Sequence, residues 1–238
     1  MQFYEFFSWS WFIGLAGFMA LWPVSVIRKD CSIVDFWWGP GAGAMALAVW
    51  LQQGAPTDGQ TLALLVPVLV WSARLGVQLG LRRLAEGDED PRYAELRRQF
   101  SPHWAIKSLF VVFILQGVLQ VMVAAGVLAG LTVAADRAPT TASFALAALA
   151  LVAVGIQTVS DTQLDIFRRR YPSGRLLTRG LRRWVRYPSY AAEIVFWAAM
   201  SLIALGAGIV WAPLSALLVI GLIRYVSGIA VLEERLAR

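Results

Sequence analysis

Long apolar runs alternate along this chain with short polar connections that carry nearly all the charge, the pattern of a helical membrane bundle. Runs near the roughly 20 residues that cross about 30 Å of hydrocarbon lie at about 6–27, 33–52, 61–81, 108–133, 141–160, 192–209 and 211–232. They predict an all-α integral membrane protein, a bundle of seven transmembrane helices forming a single domain over residues 1–238. The fourth run is long enough to tilt or break. Pro67 lies in the third, and only the Trp211-Ala212-Pro213 corner separates the last two.

The connections alternate in charge. Arg28 and Lys29 follow the first run, six basic residues follow the third between Arg82 and Lys107, and eight follow the fifth between Ser160 and Glu193. The opposite connections hold only Arg137. By the positive-inside rule this places the N-terminus outside and the C-terminus in the cytoplasm, with cytoplasmic connections at about 82–107 and 161–191. Within the first of these, the spacing from Pro91 onward predicts a short surface helix, since proline suits a first turn and Arg97 and Arg98 suit a last one. Its acids are expected either to form local ion pairs on a solvated face or to pair with the basic run that follows the fifth span.

Composition supports the membrane assignment. Of 238 residues, 58% are hydrophobic and 15% charged, and the mean hydropathy of +0.63 lies outside the soluble range. The excess of basic residues, +6 in formal charge, is accounted for by charge at the headgroups of membrane lipids, so no nucleic-acid partner is expected. A lone Cys31 and a lone His103 exclude an internal disulfide and leave no metal site.

Polar groups inside or at the ends of the apolar runs are the candidates for chemistry: Asp35, Arg74, Gln116, Gln157, Asp161, Glu193 and Arg224 among them. An ionisable group at such depth finds a partner or faces a wet cavity. Pairing of Asp35 with Arg74 or Arg224 is the structural alternative to a functional role, whereas Glu193 has the arginines of the adjacent connection as its expected neighbours. The arginines and glycines of that connection suit an anionic cofactor, because guanidinium groups bind phosphate bidentately and glycine permits close backbone approach.

Four stretches carry a resemblance. Ser160-Asp161-x-Gln163 with Phe167, then GLRRWVRYPSYAAEIVFW from Gly180, IVDFWWG from Ile33 and RRLAEGDEDPRY from Arg82 resemble the signatures of bacterial membrane proteins related to steroid 5-alpha-reductase. There is a more distant likeness to isoprenylcysteine carboxyl methyltransferase. The likeness runs from Cys31 to Glu234, and Tyr187 and Ser189 stand where the reductase signature has His and Asn. The resemblance implies a seven-helix bundle in the bacterial inner membrane that reduces a carbon-carbon double bond with NADPH. It implies cofactor contacts at Gln157, Asp161, Arg168, Arg175, Arg186, Ser189, Tyr190 and Glu193.

The expected activity is reduction of an activated double bond in a lipid-like small-molecule substrate, a sterol, terpenoid or fatty enone. Tyr190, Asp35 and Gln116 are the candidate catalytic groups, with Trp38 shaping the pocket. Methyl transfer from S-adenosylmethionine and a non-catalytic scaffold are the alternatives.

Overall fold

The computed structural model describes residues 2–85, 88–171 and 175–226, with the side chains of all these except 2–8 and 85. Every regular element among them is helical: α1 (Gln2–Arg28), α2 (Trp38–Gln52), α3 (Gly59–Ala85), α4 (Pro91–Gln99), α5 (Trp104–Ser108), α6 (Leu115–Val133), α7 (Thr141–Arg170), α8 (Pro188–Gly206) and α9 (Pro213–Gly221). A 3-10 segment, Cys31–Trp37, joins α1 to α2, and π-helical turns at Leu109–Ile114 and Leu222–Val226 precede α6 and follow α9.

Among the described residues the expected seven spans become five. Helices long and apolar enough to cross a membrane cover Trp9–Arg28, Gly59–Leu84, Trp104–Asp136, Thr141–Arg170 and Pro188–Gly206. The expected 33–52 span fails because its first quarter belongs to the 3-10 segment, capped by the Asp30 carboxylate on the Ser32 N–H. The 15 residues of α2 that remain rise only about 22 Å at 1.5 Å per residue. In the expected 211–232 span, the corner at Trp211–Ala212 delays the helix to Pro213, leaving a short apolar helix, Pro213–Val226. Residues 227–238 lie outside those described. The orientation of the termini was built on strict alternation across seven spans, so it falls with that count.

Two apolar clusters hold the bundle. The larger joins α2, α3, α6, α7, α8 and α9 around Leu64, Leu128, Phe196, Trp197 and Met200, all fully buried. There Trp71 stacks on Phe196 with centroids 5.5 Å apart and meets Trp197 edge-on at 5.1 Å, the offset and T-shaped geometries that ring quadrupoles favour. The smaller cluster packs Phe18, Val34, Val112 and Phe113 against Tyr93, so it fastens the surface helix α4 to the bundle. At Gly39 a side chain would meet the Ser72 carbonyl and Gly76 nitrogen at 2.6 Å, which brings the backbones of α2 and α3 into direct contact.

Candidate active-site chamber

The 3-10 segment carries Asp35, and its position is fixed from several sides. The Gln120 amide donates to the carbonyls of Trp37 and Trp38 at 2.9 Å, and the Trp37 indole donates to the Gly14 carbonyl at 3.2 Å. With α6 and α1 holding the turn, Asp35 points toward α4. Its Oδ1 accepts from the Tyr93 hydroxyl at 2.6 Å and its Oδ2 from Arg92 at 3.1 Å. Asp35 therefore pairs with Arg92, not with Arg74 or Arg224.

The acids between Arg82 and Lys107 resolve the same way. Arg97 forms a fork on Glu89, at 2.8 and 3.2 Å, and Glu89 also accepts the Cys31 N–H at 2.8 Å. Arg83 pairs with Asp30, and the Asp90 N–H donates to the Ser32 hydroxyl at 2.6 Å. Local pairs do form, Arg98 with Glu95 and Arg92 with Asp90. The dominant partner of this connection is nonetheless the Asp30–Asp35 turn. The short helix expected from Pro91 is present, with its first turn capped by Asp90.

Burial, then the Asp35 carboxylate, pushes the Tyr93 phenol well above its ordinary range. Burial likewise raises Asp35, against the opposing pull of Arg92. Desolvation works to lower the Arg92 pKa, but hydrogen bonding to Asp90 and the Asp35 charge outweigh it and hold Arg92 firmly protonated.

Behind this network lies a chamber of about 400 Å³, between the Asp35 turn, α3, α6, α8 and α9. Arg82, Arg83, Asp90 and Arg92 border its charged end; Trp38, Trp71, Trp197 and aliphatic side chains from α6 and α9 form its walls. Both π-helical turns flank it: Leu115 and Gln116 are the first two residues after one, and Leu222, Ile223 and Val226 belong to the other. Such turns re-aim side chains and recur at functional sites.

Two polar groups stand on these walls. The Trp38 indole donates to the Gln116 Oε1 at 2.8 Å, so the amide NH2 is the end of Gln116 left to donate. Glu193 accepts one indole N–H on each oxygen, from Trp71 at 3.1 Å and Trp197 at 2.8 Å. Arg74 lies close enough to feel its charge. The arginines expected beside Glu193 are thus replaced, at hydrogen-bond distance, by two tryptophans.

The connection after α7 is pinned to that helix. Asp161 accepts from Arg74 of α3 and from the Ser189 hydroxyl of α8 at 3.2 Å, so one carboxylate ties three helices. Gln163 accepts the Leu181 N–H at 3.0 Å. Gly180, at φ +65°, is what allows it: a Cβ there would sit 2.2 Å from the Gln163 oxygen. The SDxQ and GLRRW stretches, far apart in sequence, therefore form one clamp.

The family described as protein of unknown function DUF1295 matches residues 21–238. The chain belongs to that family. DUF1295 is distantly related to the steroid 5-alpha-reductase and polyprenol-reductase group, and this member is a multi-pass, all-helical membrane protein. Searches of curated proteins and of solved structures found no match.

In this DUF1295 chain the residues expected to hold a cofactor do not share one cavity. Glu193 lines the chamber with Asp35 and Gln116. Asp161 and Arg168 line a second cavity, of about 820 Å³, on the far side of α3. Gln157 is fully buried, and neither end of its amide has a partner. Ser189 is bound to Asp161. Tyr190 is half-buried, in the positive field of Arg92, Arg82, Arg182 and Arg168.

Arg175 and Arg186 are exposed and lie over the rings of Tyr171 and Tyr187. The sequence reading missed Trp71, Trp197, Tyr93, Arg92 and Gln163. The tryptophans were hidden by their likeness to ordinary core residues, and Tyr93 and Arg92 lay within a run read as charged surface.

Proposed function

We propose that the protein is a membrane oxidoreductase that reduces an activated carbon-carbon double bond of a lipid-like substrate with NADPH. The observation that carries the reading is the chamber, which collects Asp35, Gln116 and Glu193 from three separate elements behind a charged end bordered by Arg82, Arg83 and Arg92. The donor set fits the cofactor: guanidinium groups are the chemistry that phosphate requires, and indole walls suit both a flat nicotinamide ring and an apolar substrate. The distant relation of DUF1295 to membrane reductases supports the same choice.

When bound, NADPH supplies a hydride to the β carbon of the alkene. The chain's own residues do the rest. The Gln116 NH2, aimed by the Trp38 indole, donates to the substrate carbonyl oxygen and stabilises the enolate that hydride addition creates. Asp35, a carboxylate that accepts from the Tyr93 hydroxyl and Arg92 and whose proton affinity burial raises, takes up a proton from solvent at the charged end and then passes it to the α carbon of the enolate. Tyr190, in the positive field of Arg92 and Arg82, is the second candidate proton source. Glu193 orients Trp71 and Trp197 and so shapes the wall against which substrate rests. The apolar walls exclude water from the hydride path.

The test is NADPH oxidation by the purified protein in detergent or nanodiscs, followed with a panel of enones bearing long apolar tails. Consumption of NADPH matched by saturated product is the expected result. Absence of NADPH binding, or copurification of S-adenosylmethionine, would overturn the reading. Replacement of Glu193 by Gln is expected to weaken NADPH or substrate binding about tenfold, since it confronts an indole donor with an amide donor, at a cost of roughly 1–3 kcal/mol. Calorimetry checks it, and unchanged affinity for both ligands would remove Glu193 from the site.

A further inference from the structure

The cavity on the far side of α3 has a shape and charge of its own. It lies between α3 and α7, two spans that run in the same direction, as the contact of Arg74 with Asp161 and the shared placement of Arg82 and Arg168 along it require. Its volume, about 820 Å³, is within the roughly 300–1,000 Å³ of ligand pockets. One end is apolar, between Val70 and Val77 of α3 and Leu151 of α7. Val70 and Val77 are exposed at 43% and 62%, surface that faces acyl chains in a spanning helix.

α7 places Gly155 in the wall of this recess, and a Cβ added there meets nothing within 4 Å, so the space beside it is open. The other end is charged. Arg82, Arg168 and Arg169 border it with Asp165, while the remaining carboxylate, Asp161, is paired with Arg74. Over the whole described lining, four guanidinium groups stand with two carboxylates, so the cavity carries an excess of positive charge. Between the two ends the Gln78 Oε1 is buried without a hydrogen-bond partner.

We infer that this groove is a binding site for an anionic phospholipid, with one acyl chain in the recess at Gly155 and the phosphate at Arg82, Arg168 and Arg169. Each element of the lipid has a counterpart: apolar wall for chain, guanidinium fork for phosphate, and an acceptor in Gln78 for a headgroup or glycerol hydroxyl. A zwitterionic lipid satisfies the wall but brings its own cation to an end already positive. Arg82 borders both this groove and the chamber, so occupancy of the groove is coupled to the charged end of the chamber through one side chain.

The site does not depend on the proposed reaction, and its test needs no turnover. The full-length protein, purified in detergent, is equilibrated with equal phosphatidylglycerol and phosphatidylcholine, and bound lipid is counted by native mass spectrometry. Retention of phosphatidylglycerol over phosphatidylcholine by about fivefold or more is expected, the scale that one guanidinium near an anionic headgroup supplies. Gly155→Leu starts from a Cβ in open space, places its side chain in the recess and is expected to abolish retention of both lipids. Arg169→Gln, at an exposed position that leaves packing untouched, is expected to cut the preference by about fivefold while the thermal midpoint stays put.

Equal retention of the two lipids by the wild-type protein would overturn the proposal, as would undiminished preference in Arg169→Gln. Displacement of the lipid by NADPH or by inorganic phosphate would also overturn it, by assigning the groove to a soluble phosphate ligand. Loss of NADPH oxidation with lipid retention intact would sink the reductase reading and leave this site standing.

Discussion

At the residue scale, Asp35 and Tyr93 show how burial sets proton chemistry at the chamber. The Tyr93 phenol is almost fully buried and donates to a carboxylate, so its folded-state pKa lies above the ordinary value of 10.0. The folded state then holds this proton more tightly than the unfolded state does. Its contribution to stability is complete below about pH 10 and declines as pH rises toward the folded-state value. Thermal midpoints of wild type and Tyr93→Phe should therefore differ most at neutral pH and converge in alkali. A gap that widens above pH 10 would contradict the assignment. The substitution itself should cost about 1–2 kcal/mol, because Asp35 loses a short hydrogen bond in a desolvated place.

At the element scale, the connection after α7 is defined by its clamp more than by its charge. Gly180→Ala combines a positive φ with a Cβ pressed on the Gln163 carbonyl, a strain of about 1–3 kcal/mol that falls on this segment alone. Limited proteolysis should show faster cutting near residues 175–187 while the spans survive; an unchanged rate would mean that the clamp does not hold the segment. The surface helix α4 follows the same logic. Its start at Pro91 was legible in the sequence, but its cap at Asp90 and its anchorage, through Tyr93 and Arg92 to Asp35 and through Arg97 to the Lys29 carbonyl, were not. Periodicity reports which face of a helix is apolar, not which distant turn that face meets.

At the scale of the whole molecule, Arg74 and Asp161 bind α3, α7 and Ser189 of α8 into one unit at the depth where both cavities lie. Breaking a buried pair from one side leaves an uncompensated charge, a loss of about 3–5 kcal/mol. Arg74→Leu should thus be markedly destabilising, and Arg74→Leu with Asp161→Leu less so than Arg74→Leu alone. A thermal-shift double-mutant cycle in detergent measures this, and simple additivity would show that the pair does not couple the helices.

The alternation of apolar runs with charged connections determined by itself that this chain is an all-helical membrane protein, because hydrocarbon admits no unpaired backbone or charge. The motif stretches Ile33–Gly39 and Arg82–Tyr93 meet at the chamber, while Ser160–Glu193 divides, with Glu193 on the chamber wall and Asp161 and Arg168 on the second cavity. Only the tertiary structure decided the number of spans, since an apolar run such as 33–52 does not reveal that Asp30 will cap a 3-10 turn and shorten the helix after it. It alone decided the partners of the polar groups as well. Asp35 chose Arg92, Glu193 chose two indoles and Asp161 chose Arg74, because a buried charge is satisfied by whatever donor packing brings within hydrogen-bond reach, and packing is a property of distances that the order of residues does not contain.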